Sequence, residues 1–413
     1  MDMDIRHQIA VLIPLLFLPL SAQSAETIKI AFVDPLSGYF ALQGETDLHL
    51  AQASVQAINE RGGVLDGAEL QLVPFDDKLS AQEALLVFNQ IVDSGIRFIS
   101  LTVGSNVAGA LSEAAAKYNS RNPAKSVLVL NLGATDPALT NEKCNFWHFR
   151  FIPTVDMQME AFTTFIARSP SVHNVYLINQ DYAYGQAVRR AAMEMLSRKR
   201  PDIKIVGDDL HPIGKVKDFA PYIAKIKTSN ADTVITGNWG SHFSLLLRAS
   251  KDAGLHVDYY SLGSYTAGVA STMKADGADH VKTMIPWHAN VADDRLQKFY
   301  TEYKKHYSNE EISFLSIKFG FDMLARAINQ AKSSEPLQIA RALEVMRYQG
   351  DTGEMWMRTE DHQLAAPLYL ATFTKVGDAI QHDVENTGYG WKTDVRFDAV
   401  ETLLPTTCKM VRP

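Results

Sequence analysis

Long apolar segments and basic charge are both scarce in this 413-residue chain. After residue 25 no apolar run reaches the roughly 20 residues that a helix needs to cross a bilayer. The net charge is −7, whereas proteins that bind nucleic acid usually present a basic face. These absences argue against a multi-spanning membrane protein and against a nucleic-acid partner.

Catalytic motifs are also missing. The sequence contains no G-x-S-x-G nucleophile elbow, no H-E-x-x-H zinc motif and no G-x-G-x-x-G dinucleotide fingerprint. The 12 histidines are scattered, and the pair Asp76-Asp77 follows a predicted strand, where carboxylates are usually solvated. We therefore expect a protein that is not an enzyme and that needs neither a cofactor nor a metal.

Only two cysteines are present, Cys144 and Cys408. In an exported protein, two lone cysteines favour one disulfide, which here would join the C-terminal tail to the middle of the chain. For so long a loop, the chain-entropy account gives a stabilisation of about 4–5 kcal/mol. Two unpaired thiols are the alternative, and the spacing of the two residues does not fit a zinc site.

The first 25 residues have the composition of a secretory signal peptide. Arg6 precedes an apolar core at 9–20, and small residues follow it. This order predicts cleavage after Ser24 or Ala25 and a periplasmic location for the mature protein. An uncleaved membrane anchor is the alternative, but the apolar core is shorter than a membrane-spanning helix and contains two prolines.

Strand-like and helical segments alternate along the rest of the chain. Apolar runs such as "IKIAFV" and "IRFISLTVG" are separated by amphipathic patterns such as "SAQEALLVFNQIVDSG". Nearly continuous apolar strands between helices indicate a parallel sheet covered on both faces. The pattern restarts at "NVYLINQ", after a linker-like region, so the predicted fold class is α/β with two doubly wound lobes. The predicted division is 26–145 plus 276–352 for lobe 1 and 146–275 plus 353–413 for lobe 2.

Small residues occupy two predicted strand-to-helix junctions, the places where ligands bind in open α/β sheets. One is "NLGATDP", where Gly133, Ala134 and Thr135 precede Asp136, a residue that can cap a helix. The other is "VGSNVAGALS" at 103–112. Open amide groups and a helix dipole at such a junction suit the carboxylate of a small ligand. Ordinary tight loops are the alternative.

Three further junctions carry aromatic or polar side chains. A ring at the end of a strand is poorly placed for the core of its own lobe, and it can face a ligand instead. Packing at the rim of the lobe is the alternative for each ring. The residues are Tyr182 and Tyr184 in "NQDYAYGQ", Asn238 and Trp239 in "TGNWGSH", and Ser264 and Tyr265 in "LGSYTAG".

In their order and spacing, these segments resemble the periplasmic substrate-binding proteins of ABC transporters, in the branched-chain amino-acid (Leu/Ile/Val-binding) family. The resemblance rests on the stretch from "IAFVDPLSGYF" to "LQLVPFDD", on "LNLGATDPALT", on "DYAYGQ" and on "LLLRASKDAGL". It implies a type I periplasmic binding protein fold, with two Rossmann-like lobes joined by three crossovers. It also implies a clamshell that closes on its ligand and delivers it to a permease and ATPase complex in the inner membrane. We expect a monomer.

The resemblance also assigns positions around the ligand. The ligand carboxylate is expected at the backbone of Ala108-Gly109 and Gly133 and at Thr135. Tyr184 and Trp239 match aromatic positions of the family, and Gln43 stands where an aromatic residue is common. With the junction residues, the predicted ligand-binding set is Gln43, Ala108, Gly109, Gly133, Ala134, Thr135, Tyr182, Tyr184, Asn238, Trp239, Ser264 and Tyr265.

Two departures from the family bear on the ligand. Ala108-Gly109 replaces an expected serine, and no carboxylate stands near Ser264-Tyr265, where the family places the partner of a ligand ammonium. Burying an ammonium without a counter-charge is strongly unfavourable. We therefore expect a small carboxylate with an apolar or aromatic body and no free amine, while branched-chain amino acids are the family default. A sensor that presents its ligand to a receptor kinase is the alternative function.

Overall fold

A computed structural model of the protein describes residues 27–291, 294–350 and 352–413. The predicted signal peptide lies outside these ranges. The described chain forms two α/β lobes, each built around one sheet. Among the helices of these ranges, none combines the length and the apolar character that a bilayer crossing requires.

Strands and helices alternate as the sequence predicts through most of the chain. The strands are β1 (Thr27–Asp34), β2 (Glu69–Asp76), β3 (Phe98–Leu101), β4 (Leu128–Asn131), β5 (His148–Arg150), β6 (Asn174–Gln180), β7 (Lys204–His211), β8 (Thr233–Thr236), β9 (Asp258–Ser261), β10 (Val281–Ile285), β11 (Arg347–Gly350), β12 (Gly353–Arg358), β13 (Gln363–Ala365), β14 (Leu368–Lys375) and β15 (Tyr389–Phe397). The helices are α1 (Ala41–Glu60), α2 (Ala81–Asp93), α3 (Ser105–Arg121), α4 (Val155–Ile166), α5 (Ala183–Lys199), α6 (Ala220–Thr228), α7 (Ser241–Asp252), α8 (Val269–Gly277), α9 (Asp294–His306), α10 (Ser316–Ala331), α11 (Pro336–Glu344) and α12 (Ala399–Thr402).

The two sheets repeat one strand order. Parallel strands run β2-β1-β3-β4-β5 in the first sheet and β7-β6-β8-β9-β10 in the second. Strands β13, β12 and β11 extend the first sheet beyond β5, and β14 and β15 extend the second beyond β10. In the first sheet β1 lies between β2 and β3, and in the second sheet β6 lies between β7 and β8. The strand order therefore reverses at β1 and at β6, and such a reversal opens a crevice at the carboxyl ends of the strands.

The predicted α/β class with two doubly wound lobes is confirmed. Among the described strands the chain passes between the sheets three times, after β5, β10 and β13. The predicted lobe boundaries differ from the sheet membership, because β5, β12 and β13 lie in the first sheet and β10 lies in the second. Pairing with neighbouring strands decides this membership: β5 pairs with β4, and β10 pairs with β9.

Local signals in the sequence explain where helices start and stop. The side chain of Ser80 accepts a hydrogen bond from Glu83 N at 3.4 Å and caps α2. After α1, Gly62 and Gly63 have φ of +100° and +67°, and Gly63 N donates to Ile58 O at 3.1 Å. Glycine adopts such left-handed conformations at little cost, so this pair ends the helix.

The predicted disulfide between Cys144 and Cys408 is present. It attaches the C-terminal tail to the first lobe beside two hydrogen bonds. The Thr406 hydroxyl donates to Thr140 O at 2.8 Å, and Thr407 N donates to Asn141 Oδ1 at 2.9 Å. The tail therefore closes a covalent loop of 264 residues.

Replacing both cysteines with serine should lower the unfolding temperature, because the unfolded chain regains the freedom that the closed loop removes. The chain-entropy account sets an upper limit of about 5 kcal/mol. Calorimetry of the double variant and of the wild type, with and without reductant, tests this. We expect reductant to lower the unfolding temperature of the wild type alone, and equal unfolding temperatures in all four samples would contradict a stabilising disulfide.

Candidate functional site

A small cavity of about 40 Å³ lies between the two lobes. The segments after β3 and β4 line it from the first lobe, and the segments after β6, β8 and β9 line it from the second. Two wider hollows, of about 690 Å³ each, lie among helices away from the carboxyl ends of the strands. The lining residues of the small cavity are Val103, Gly104, Ser105, Gly133, Ala134, Thr135, Gln158, Tyr182, Tyr184, Trp239, Leu262, Gly263, Tyr265, Thr266 and Phe314.

The N-terminus of α3 opens into this cavity. Gly104, with φ of +92°, precedes the helix and has no side chain to cap it, and the first turn contains no acidic residue. Ser105 begins the helix and lines the cavity. The first amides of a helix have no partner within it, and the dipole adds partial positive charge there. This end of the cavity therefore offers amide and hydroxyl donors to an anion.

Asn131 holds the loop that follows β4. Its Oδ1 accepts from Ala134 N at 2.8 Å and from Gly133 N at 3.3 Å, and its Nδ2 donates to Ala134 O at 2.9 Å. The amides of Gly133 and Ala134 are thus already bonded to the protein. The amide and the hydroxyl of Thr135 have no hydrogen-bond partner among the described residues, and Thr135 lines the cavity. Thr135 is therefore the open donor of this loop.

Close packing against the protein's own backbone explains why residue 133 is a glycine. A Cβ added to Gly133 would stand 2.6 Å from Thr102 O and 2.9 Å from Thr102 C. No side chain fits at that distance, so the main chain after β3 requires glycine here. Gly133 is therefore explained by the protein's own backbone at Thr102 and is not by itself evidence of a ligand.

The helix predicted after Asp136 is a single 3₁₀ turn, Pro137–Thr140. Asp136 caps it by accepting from Ala138 N at 3.1 Å, as predicted. Because a four-residue turn has little dipole, α3 supplies the main helix dipole at this cavity. Behind the loop, the buried Arg150 donates from Nη1 to Asp136 O at 2.5 Å. Burial lowers the pKa of Arg150 to about 10, so a positive charge remains behind the loop at neutral pH.

Aromatic side chains form the second-lobe wall. Trp239 Nε1 donates to the Tyr182 hydroxyl at 3.0 Å. From the first lobe, Phe40 packs on Trp239 with ring centroids 4.1 Å apart. Burial raises the pKa of Tyr184 and of Tyr265, so both phenols stay neutral. Trp239 therefore lines the cavity and also packs against the opposite lobe.

Charged groups are absent from the cavity wall as far as the structure describes it: none of the lining residues is Asp, Glu, His, Lys or Arg. Ser264, at the position where an acidic partner was expected, is fully buried, and its Oγ has no hydrogen-bond partner. Within the described ranges there is also no cluster of residues suited to a metal ion. The wall thus combines an anion-binding end with neutral, largely aromatic surroundings.

The structure brings seven of the twelve predicted ligand-binding residues into the cavity wall. They are Gly133, Ala134, Thr135, Tyr182, Tyr184, Trp239 and Tyr265.

The other five lie outside the wall. Ala108 and Gly109 lie inside α3, where Ala108 N donates to Gly104 O at 2.9 Å, because the helix already begins at Ser105. Gln43 connects the lobes: its Oε1 accepts from Ala267 N at 2.8 Å. Asn238 and Ser264 are buried behind the wall, with Asn238 Oδ1 2.7 Å from His211 Nε2.

Eight lining residues were not predicted as individual positions: Val103, Gly104, Ser105, Gln158, Leu262, Gly263, Thr266 and Phe314. Leu262, Gly263 and Thr266 belong to the segment "LGSYTAG", of which only Ser264 and Tyr265 were predicted. Gly104 and Ser105 stand in the segment "VGSNVAGALS", and starting the helix at Ser105 would have found them. Gln158 and Phe314 come from α4 and from the residues before α10, and no local pattern marks either of them.

Proteins of known family have similar sequences over most of this chain. The sequence profile of the periplasmic binding protein family matches residues 27–378. "Leu/Ile/Val-binding protein homolog 4" of Brucella melitensis is 30% identical over 400 residues, which cover 94% of each chain. The leucine-, isoleucine-, valine-, threonine- and alanine-binding protein of Pseudomonas aeruginosa is 25% identical over 335 residues, which cover 81% of this chain and 86% of that one.

Solved structures share the fold. The protein of the same description from Brucella ovis, crystallised in a closed conformation, superposes with a TM-score of 0.84 at 29% identity, covering 94% of this chain and 100% of that one. A solute-binding protein from Rhodopseudomonas palustris in complex with 4-hydroxybenzoate has a TM-score of 0.77 at 17% identity, covering 90% and 97%.

Proposed function

Because this chain belongs to the periplasmic binding protein family, we propose that it captures a small carboxylate between its lobes and delivers it to an ABC-transporter permease. The family predicted from the sequence is confirmed, and with it the type I fold. Like its relatives, the chain is a solute-binding protein and not an enzyme. The family implies a periplasmic location.

The N-terminus of α3 is the observation that carries the proposed carboxylate site. Ser105 and Thr135 both line the cavity, and the first-turn amides of α3 lie beside them. Charge-assisted hydrogen bonds from such donors to a carboxylate are about twice as strong as neutral ones. Arg150 lies behind the loop, but the acidic side chains of Asp136, Asp156 and Asp361 near it offset its charge. A carboxylate bound here would need no charged side chain in the wall.

The rest of the wall supports a ligand without an amine. An ammonium would be buried among phenols, an indole and an amide, with no acidic lining residue in the described chain to balance it. Two ligand classes come from similar proteins: amino acids for the P. aeruginosa protein and 4-hydroxybenzoate for the R. palustris protein. The neutral wall favours the second class for this chain.

Contacts between the lobes support capture by closure. Besides Phe40 on Trp239, Tyr265 and Phe314 pack edge to face with centroids 5.7 Å apart, and Gln43 bonds Ala267 N. These contacts hold the lobes together beside the cavity, and their separation would widen the opening for a ligand. The binding energy of the ligand would then hold the lobes together. The expected partner is a permease with its ATPase, and the comparisons do not favour the alternative of a sensor for a receptor kinase.

Titration calorimetry tests the ligand class. We expect 4-hydroxybenzoate to bind and leucine to give no measurable heat, because leucine brings an ammonium that has no counter-charge. 4-Hydroxybenzamide is the matched control, since it keeps the ring and lacks the negative charge; it should bind at least tenfold more weakly. Micromolar binding of leucine would contradict the preference against amines, and equal binding of the amide would contradict the carboxylate site.

A further inference from the structure

Gln158 is a buried polar residue of the cavity wall that the proposed carboxylate site does not use. It lies in the first turns of α4, and the start of this helix is bonded to the Thr135 loop, since Val155 N donates to Thr135 O at 2.9 Å. Its side chain is 2% exposed and lines the cavity. Gln158 therefore stands close to the loop that offers the Thr135 donors.

The orientation of the Gln158 amide follows from its one hydrogen bond. Nε2 donates to Pro153 O at 3.1 Å. A carbonyl oxygen can only accept, so the nitrogen must face Pro153 and the oxygen must face the other way. That oxygen, Oε1, is buried and has no partner among the described residues. An unpaired buried acceptor is unfavourable, which makes a donor from the ligand valuable at this position.

Several donors near Gln158 are already bonded to other groups of the protein. Trp239 Nε1 donates to the Tyr182 hydroxyl, and the amides of Gly133 and Ala134 donate to Asn131. The open donors of the wall, Thr135 among them, do not bond Gln158 Oε1 in the structure, so a ligand that brings its own donor can satisfy this oxygen. An ammonium would bring a charge that this neutral wall does not balance, whereas a hydroxyl brings a donor without a charge.

We propose that Gln158 Oε1 accepts a hydrogen bond from a hydroxyl group of the ligand, so that the site selects hydroxylated carboxylic acids over their unsubstituted and amino analogues. This inference rests on the proposed function, because it places the ligand in the same cavity. A site built to bond a hydroxyl rejects the analogue without it, since the buried acceptor is then left unpaired. The role of Gln158 is in selectivity.

Matched ligand pairs test this selectivity by titration calorimetry. One pair is 4-hydroxybenzoate and benzoate, and the other is 2-hydroxy-4-methylpentanoate and 4-methylpentanoate, with leucine as the amino analogue of the second pair. In the wild type we expect the hydroxylated member of a bound pair to bind about 10- to 100-fold more tightly. In Gln158→Met, which keeps the length of the side chain and removes the acceptor, the two members should bind within about threefold of each other.

Two further variants separate selectivity from folding. Gln158→Glu, measured at pH 5.5, should restore the preference, because burial favours a protonated carboxyl that can donate to Pro153 O and leave its carbonyl oxygen to the ligand. Gln180→Met is the matched control: Gln180 Oε1 is also buried without a partner, but Gln180 does not line the cavity. We expect Gln180→Met to leave the ratio within each pair unchanged.

The outcomes distinguish the two proposals. A pair ratio that is the same in the wild type and in Gln158→Met overturns the role of Gln158, and it would mean that water satisfies Oε1. Leucine binding more tightly than the hydroxy acid overturns the selectivity as well. If none of the five compounds binds while circular dichroism shows a folded protein, the proposed function fails, and the inference about Gln158 fails with it.

Discussion

Replacing Trp239 with alanine should weaken ligand binding about 30-fold, or roughly 2 kcal/mol. The indole is 5% exposed and lines the cavity. Its removal would take away a ring from the wall, the hydrogen bond to the Tyr182 hydroxyl and the contact with Phe40 across the lobes. Titration calorimetry with 4-hydroxybenzoate measures the loss.

Two control variants separate the contributions of Trp239. Trp239→Phe keeps a ring and loses only the Nε1 donor, so its loss of affinity should be several-fold smaller. Phe40→Ala removes the partner ring from the opposite lobe without removing a lining residue, so it reports on closure. Wild-type affinity in Trp239→Ala, with an intact fold, would remove Trp239 from the site.

A second large effect is expected from two buried carboxyl groups beneath the cavity. The Thr102 hydroxyl lies between Asp34 and Asp47: it contacts Asp34 Oδ2 and stands 2.7 Å from Asp47 Oδ2. One hydroxyl proton cannot serve two carboxylates, so one carboxyl must itself hold a proton. Asp34 also accepts from Thr102 N at 3.0 Å and from Val103 N at 3.1 Å. These donors favour the charge on Asp34 and the proton on Asp47.

The pKa of Asp47 gives the direction of the pH dependence. Burial raises it from 3.8 to about 8, with the charge of Glu310 adding to the rise, and burial also raises the pKa of Asp34. The folded protein therefore keeps a proton that the unfolded chain releases above pH 4. Stability from Asp47 is fully present below that pH and is lost as the pH rises to about 8. The loss is at most about 6 kcal/mol.

Asp47→Asn should remove this part of the pH dependence. An asparagine resembles the protonated aspartate: its Oδ1 can accept from Gln43 Nε2, which bonds Asp47 Oδ1 at 2.8 Å, and its Nδ2 can donate to Thr102 Oγ1. Urea unfolding at pH 5 and pH 9 measures the effect. We expect similar stability at pH 5 and a variant that is more stable by a few kcal/mol at pH 9.

Other buried acids limit how flat the variant's profile becomes. Burial raises the pKa of Asp77 and of Glu311 to about 7, and both groups remain in Asp47→Asn. The test therefore compares how steeply the unfolding free energy falls with pH in Asp47→Asn and in the wild type. Parallel stability curves for the variant and the wild type would show that Asp47 does not hold the shared proton.

Several site features follow from local sequence. Thr135, Tyr182, Tyr184 and Trp239 stand within four residues after the ends of apolar strands. The carboxyl ends of parallel strands meet at one edge of a sheet. Their place in the wall was therefore predictable. Ala108 was assigned by family position, and the start of α3 at Ser105 moves it into the helix. Helix boundaries are uncertain by a few residues when read from sequence, and here that shift changed which residues face the cavity.

The sequence by itself determined the α/β alternation, the family, the helix caps at Ser80 and Asp136 and the pairing of the only two cysteines, because these depend on periodicity, on neighbouring residues or on a lack of alternatives. The tertiary structure decided which sheet β5 and β10 join, why Gly133 must be glycine and how Gln158 is oriented. Those features depend on contacts between segments that lie far apart along the chain or in different elements. Folding alone brings such segments together.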